Sequence, residues 1–263
     1  MNKTIHRDHV NTTRIFDDRT LEADYATLIP LLKPGLRVLD VGCGTGAISA
    51  GIARYVGPGS VVGIDNTKSF IESGKETYRE IGNMELIHAD LFDWNPDEKF
   101  DLIVSARVLQ WLNNPKGALI KMKSLLRPGG VVSVLDYNHS ALQWEPLPPQ
   151  SMLTFYDAFL RWRAGAGMNN QIANDLPEYF SEAGFHAIEV INADEVYRKG
   201  SNNFSARAGI WSKVAGMKQI SDEGWIDDAL RLQAIAEYNI WIETGAESMT
   251  MKLNEVRGRP GLG

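Results

Sequence analysis

Residues 38–46 read Val38-Leu39-Asp40-Val41-Gly42-Cys43-Gly44-Thr45-Gly46, an apolar run with the character of a buried strand, then glycine at three alternate positions. A helix-like stretch, Ala47 to Ala53, follows at once. Glycine lets the backbone turn sharply and approach a ligand closely, and the unpaired N–H groups that open the following helix attract an anionic group. This strand–turn–helix unit predicts a nucleotide-type cofactor.

Beyond the turn, short apolar segments alternate with amphipathic ones, the pattern of a parallel sheet covered on both faces. Strands are expected at Arg37–Val41, Ser60–Asp65, Met84–His88, Phe100–Ser105, Gly130–Asp136, His186–Val196 and Ser248–Glu255, with helices between the first five. Helices are also expected at Thr20–Leu32, ended by Pro34-Gly35, and at Leu176–Ala183. Ala141–Pro149 is rich in proline and is expected to break regular structure; Ser151 then caps a helix carrying Phe155, Tyr156, Phe159, Leu160 and Arg163 at helical spacing. Asn66 and Thr67 are candidate caps for the helix after the second strand. The tail from Arg257 to Gly263 is expected to be mobile.

A chain of 263 residues can bury one large core, with or without an appended cap, and needs no disulfides. Its single cysteine, Cys43, lies inside the glycine turn, which excludes an internal disulfide and a cysteine zinc cluster. His6 and His9 have no third ligand nearby, and the adjacent acids Asp17-Asp18 and Asp227-Asp228 point apart on a helix, so neither a metal site nor a paired acid–base site is expected. A net charge of −6 with scattered Lys and Arg provides no basic field for a long nucleic acid. No amino-terminal signal pattern is present and no apolar stretch approaches the ~18 residues needed to span a bilayer, so a cytoplasmic protein without a membrane partner is expected. Oligomeric state is left open.

The glycines also satisfy G-x-G-x-x-G/A through Gly42, Gly44 and Ala47. Asp40 and Gly46 arbitrate. A carboxylate at the strand tip repels pyrophosphate but suits a ligand carrying an ammonium or a sulfonium, and S-adenosylmethionine (SAM) has both. With the acid and the third glycine present, V-L-D-x-G-x-G-x-G resembles motif I of the class I SAM-dependent methyltransferases. The resemblance extends from Leu31 to Asp136, includes the turn Leu125-Leu126-Arg127-Pro128-Gly129-Gly130, and is greatest to the UbiE-like small-molecule group. It implies an α/β fold with a Rossmann-like seven-stranded sheet, mostly parallel with the last strand antiparallel, plus helical cap insertions. One domain, 1–263, is expected, with its core at 31–140, 171–200 and 246–257 and cap elements at 9–30, 141–170 and 202–245.

The same resemblance implies roles for particular residues. Asp40, Gly42, Gly44 and Gly46 would cradle the cofactor, and Asp65, about twenty residues past the turn at the end of the second strand, would accept the ribose hydroxyls, with Asn66 beside it. Ala89, Asp90 and Leu91 would bind adenine, and the segment from Ser105 to Arg107 would face the methionine portion. Strand five delivers Tyr137, Asn138 and His139 to the carboxyl edge of the sheet, where open α/β proteins place their ligands. These three, with Tyr156 and Arg163, are the candidate acceptor contacts; His139, or else Tyr137, is the candidate proton acceptor. The Trp and Tyr residues of the two insertions suggest an enclosed apolar pocket.

The chain carries Ser105-Ala106-Arg107-Val108 where amino-directed nucleic-acid methyltransferases carry Asn/Asp-Pro-Pro-aromatic, and it has no cysteine free for cytosine C5 chemistry. The expected reaction is therefore methyl transfer from SAM to O, N or C of a small, partly apolar metabolite, leaving S-adenosylhomocysteine. No metal is required. A protein-directed methyltransferase, a non-catalytic SAM-binding regulator and a nucleotide-dependent oxidoreductase stand as alternatives.

Overall fold

Strand β1 (Arg37–Val41) alternates its side chains between two cores: Val38 joins one hydrophobic cluster and Leu39 the other. β4 (Phe100–Ala106) repeats this, with Leu102 and Val104 on the first side and Ile103 on the second. Strands buried on both faces read as nearly continuous apolar runs, which is why these segments stand out in the sequence. The computed structural model describes residues 19–261. His6, His9, Asp17-Asp18 and the 9–18 portion of the first cap element lie outside the described residues.

β2 (Ser60–Asp65), β3 (Met84–His88), β5 (Leu126–Glu145), β6 (Phe185–Asn192), β7 (Glu195–Arg198) and β8 (Ser248–Pro260) complete the sheet, in the order β3-β2-β1-β4-β5-β8-β6 with β7 also paired to β8. β1 to β5 are parallel, and β8 is antiparallel to its neighbours β5, β6 and β7. The helices are α1 (Leu21–Asp24), α2 (Ala47–Val56), α3 (Lys68–Thr77), α4 (Pro115–Ser124), α5 (Gln150–Gly165), α6 (Ile172–Glu182), α7 (Phe204–Ala208), α8 (Ile210–Ala215), α9 (Gln219–Asp222) and α10 (Asp228–Thr244). Helices α7 to α10 form the long insertion between β7 and β8. Among the described residues no helix is long and apolar enough to cross a membrane.

Several local expectations are corrected. The strand expected over His186–Val196 is two strands, because Ala193-Asp194 interrupts it: Asp194 accepts from the Leu253 amide at 3.1 Å and from Lys252 at 2.7 Å. β7 then resumes on the same partner, from Asn192↔Asn254 to Glu195↔Met251, giving eight strands among the described residues in place of seven. The strand expected to stop at Asp136 runs on to Glu145, since β8 supplies its ladder through Gln143↔Thr250, Trp144↔Met249 and Glu145↔Ser248. The break falls instead at Pro146–Pro149. β8 likewise continues through Arg257–Pro260, a stretch expected to be mobile, with Pro260 opposite Phe185.

Between β3 and β4 there is only a turn, Asp90 to Trp94, where a helix is expected; Asn95-Pro96-Asp97 ends it. The helix expected over Thr20–Leu32 is a four-residue α-helix followed by a 3-10 helix, Ala26–Leu31, containing Pro30. Tyr25 breaks the regular backbone between them because its side chain is committed to the sheet. The Ser133 hydroxyl donates to the buried Glu255 carboxylate at 2.6 Å, so the Tyr25 hydroxyl donates to Ser133 at 2.8 Å. Ser151 is not a cap: Pro149 holds that position, and the Ser151 hydroxyl donates to Glu237 at 2.6 Å. Thr67 does occupy the cap position of α3, but its side chain makes no capping bond.

Candidate active site

The glycine turn hooks over the end of β2. The amides of Gly42 and Cys43 both donate to the Ile64 carbonyl, at 2.8 and 3.0 Å, and Gly42, Gly44 and Gly46 all have positive φ. At Gly42 a Cβ would lie 2.4 Å from a Val108 methyl, so close approach as well as conformation excludes a side chain. Asp65 braces the turn from the next strand: Oδ2 accepts from the Gly44 amide at 3.0 Å and Oδ1 from the Thr67 amide at 2.8 Å. Each oxygen retains a second lone pair for a hydroxyl donor.

Asp40, 3 % exposed, accepts a 2.6 Å hydrogen bond from Ser49. Burial pushes its carboxyl up to about 6, against the opposing effect of the Ser49 hydroxyl, and the charge of Asp65 adds to the rise. A cation bound beside it would reverse this, which matches the donor set SAM requires. Asp90 is exposed and accepts from the Phe92 amide at 2.8 Å.

A cavity of about 1050 Å³ runs from this turn across the carboxyl ends of β4 and β5. It brings together Asp40, Gly42, Gly44, Asp65, Asn66, Ala89, Asp90, Leu91, Arg107, Tyr137 and His139. Gly46, Ser105, Asn138, Tyr156 and Arg163 are not in its lining. Gly46 is the N-cap residue of α2, and the buried Ser105 hydroxyl donates to the Val41 carbonyl at 3.0 Å, tying β4 to β1. Asn138 alternates with Tyr137 and His139 along β5 and so takes the opposite face. Tyr156 donates to the His139 carbonyl at 2.6 Å, and Arg163 donates to the Gln110 carbonyl at 2.8 Å with its guanidinium 4.7 Å from the Trp111 ring centre. Both position the residues that reach the cavity.

His139 sits where the β5–β8 register jumps from Asn138↔Lys252 to Gln143↔Thr250. A bulge of this kind bends a strand and re-aims its side chains. The imidazole is ringed by Tyr137 at 5.2 Å, Phe159 at 5.7 Å and Trp211 at 5.9 Å, and its Nε2 lies 2.6 Å from Gln110 Oε1. Burial, and secondarily the Arg163 charge, pull its pKa well below the ordinary histidine value. His139 is therefore neutral at physiological pH.

Sequence reasoning did not single out Gln110, Arg19, Ile210, Met217 or Met251; the apolar pocket it expected from the Trp and Tyr residues of the insertions is walled by Trp211, with Phe159 and Val214 beside it. Gln110 had one signal, an amide inside the apolar run Val108-Leu109-Gln110-Trp111-Leu112. The wall residues come from α5, from α8 and the turn after it, and from β8, segments remote in sequence that only the fold brings together.

Residues 32–201 match a family model described as a methyltransferase domain. A trans-aconitate 2-methyltransferase of Methylobacterium radiotolerans is 28% identical over 216 residues, 80% of this chain and 79% of that protein. An uncharacterised methyltransferase of Schizosaccharomyces pombe is 31% identical over 123 residues, and the match spans 43% of this chain and 44% of that protein's length. Among solved structures, a SAM-dependent methyltransferase from Geobacter sulfurreducens in complex with S-adenosyl-L-homocysteine superposes with a TM-score of 0.58 at 19% identity, covering 98% of this chain and all of that one.

Proposed function

The chain belongs to the methyltransferase-domain family, and on that premise we propose that it moves a methyl group from SAM to a small, partly apolar metabolite. The observation that carries this reading is the single cavity that joins the glycine turn and Asp65 to Tyr137, His139 and an aromatic wall. At about 1050 Å³ it stands at the upper end of the range for ligand pockets, with room for a cofactor and a second small molecule side by side. A relative named for trans-aconitate also favours a small-molecule acceptor.

When bound, SAM supplies a methyl group on a sulfonium, already activated for direct displacement. The residues of this chain then have three tasks. The glycine turn, with Asp65, Asn66 and the Ala89–Leu91 segment, holds the nucleoside, and the Asp40 carboxylate favours its cationic end. The wall of Phe159, Trp211, Val214 and Met217 excludes water from the transfer path. His139, kept neutral, accepts a hydrogen bond from an acceptor O–H or N–H and takes its proton as the new bond forms.

Incubation with isotope-labelled SAM and a metabolite extract, followed by mass identification, tests the reading. The expected result is a labelled small molecule together with S-adenosylhomocysteine. Label appearing only in protein would favour a protein-directed enzyme, and SAM binding with no labelled product would favour a non-catalytic binder.

A further inference from the structure

Arg107 ends β4 in a conformation that non-glycine residues rarely adopt, with φ 62°. Its amide donates to the Leu135 carbonyl at 2.7 Å, which fixes the turn. The side chain, 2 % exposed, lines the cavity and is held on two of its three nitrogens. Nε donates to the Tyr137 hydroxyl at 2.7 Å, and Nη2 pairs with Glu195. Nη1 is buried and has no hydrogen-bond partner among the described residues. An orphaned cationic donor is costly in a protein interior, and in a residue that lines a cavity a bound water, ion or ligand can supply the missing acceptor.

The direction of the side chain decides which ligand. Tyr137 belongs to β5 and Glu195 to β7, both on the far side of β4 from the glycine turn and Asp65. Tyr137 in turn packs 5.2 Å from His139, beside Trp211 and Phe159. Arg19 also lines the cavity, close enough to Arg107 that the two guanidiniums repel, while Asp24 and Glu195 offset part of that field.

We propose that Arg107 Nη1 binds a carboxylate on the methyl acceptor, so that the acceptor is a small acid with an apolar body. This deepens the methyltransferase reading and rests on it. The guanidinium, already pinned by Tyr137 and Glu195, is preorganised, and the apolar wall takes the remainder of the molecule.

The test uses the full chain saturated with S-adenosylhomocysteine and follows quenching of its tryptophan fluorescence, since Trp111 and Trp211 line the cavity. The probes are three matched acid and amide pairs: benzoate and benzamide, cinnamate and cinnamamide, octanoate and octanamide. At least one acid is expected to bind about tenfold or more tighter than its amide, the scale of one charge-assisted hydrogen bond. In Arg107→Gln that preference disappears, and in Arg107→Lys, which keeps the charge but loses the planar fork, it is reduced. The proposal is overturned if the wild-type protein shows no acid preference, or if Arg107→Gln retains it. It is equally overturned if folded Arg107→Gln loses S-adenosylhomocysteine instead, which would place Nη1 on the cofactor's own carboxylate. Should Arg107→Gln fail to fold, the wild-type comparison and Arg107→Lys decide. A wild-type protein that binds no S-adenosylhomocysteine would count against the methyltransferase reading itself, separately from the acid preference.

Discussion

Gln110 holds His139 in one tautomer. The Gln110 amide nitrogen donates to the Arg107 carbonyl at 3.1 Å, so its oxygen faces His139 Nε2 at 2.6 Å and that nitrogen carries the proton. Nδ1 is left with its lone pair, the form a proton acceptor needs. His139→Ala is expected to lower turnover about 100-fold with an O–H or N–H acceptor and to leave S-adenosylhomocysteine affinity nearly unchanged. Single-turnover rates measured beside calorimetry separate the two effects, and a wild-type rate would reduce His139 to a packing role.

Asp65→Ala should weaken SAM by about 1.5–3 kcal/mol, the scale of charge-assisted hydrogen bonds lost in a site. The substitution also leaves the Gly44 and Thr67 amides without their acceptor. A thermal melt without ligand, run beside the binding titration, separates that loosening from the lost ligand contact.

The pH dependence of binding should follow Asp40. Its carboxyl titrates at about 6 in the ligand-free fold, above the unfolded value of about 3.9. Because the folded form holds the proton more tightly, this group makes the free protein lose stability as pH rises from about 4 to about 6. A bound cation favours the carboxylate, so SAM affinity should rise with pH through the same region and level off above it. Calorimetry at pH 5, 6 and 7 in buffers of different ionisation enthalpy would detect the released proton. Asp40→Asn should abolish both the proton release and the slope.

Gly74→Ala tests the support behind the glycine turn. A Cβ at this position of α3 would stand 2.2 Å from the Thr45 carbonyl oxygen. Alanine gains about 1 kcal/mol of helix propensity over glycine, but a backbone clash of this kind costs about 1–3 kcal/mol. A net loss in denaturant midpoint is therefore expected, with weaker SAM binding as the turn is displaced. A stability gain would show that α3 can shift freely.

What was legible in the sequence is what local physics determines. β1, β2 and β4 are apolar on both faces, so their strands stand out, and the glycine turn with its two flanking acids marks one end of the cavity. The continuation of β5 past Asp136 was hidden because Tyr137–Glu145 is a mixed polar stretch whose ladder comes from β8, more than a hundred residues later. Ser151 looks like a cap but lies inside the helix, which starts at Gln150 after Pro149, and its hydroxyl donates to Glu237 on α10. Arg107 carries no local mark of its positive φ, which is imposed by the Leu135 carbonyl and the Tyr137 and Glu195 side chains.

β5 is 20 residues long; its first half lies between β4 and β8, while its second half, bulged at His139, pairs only with the start of β8 beside the insertion helices. Trp144 donates to Tyr238 at 2.9 Å, and Tyr238 donates to the Ala208 carbonyl at 3.0 Å, so the strand is bolted to α10 and α7. The insertion is thus not an interchangeable module. Transplanting 202–245 alone into another scaffold would sever its anchors, whereas a graft that also carries 137–145 and 248–253 would preserve them.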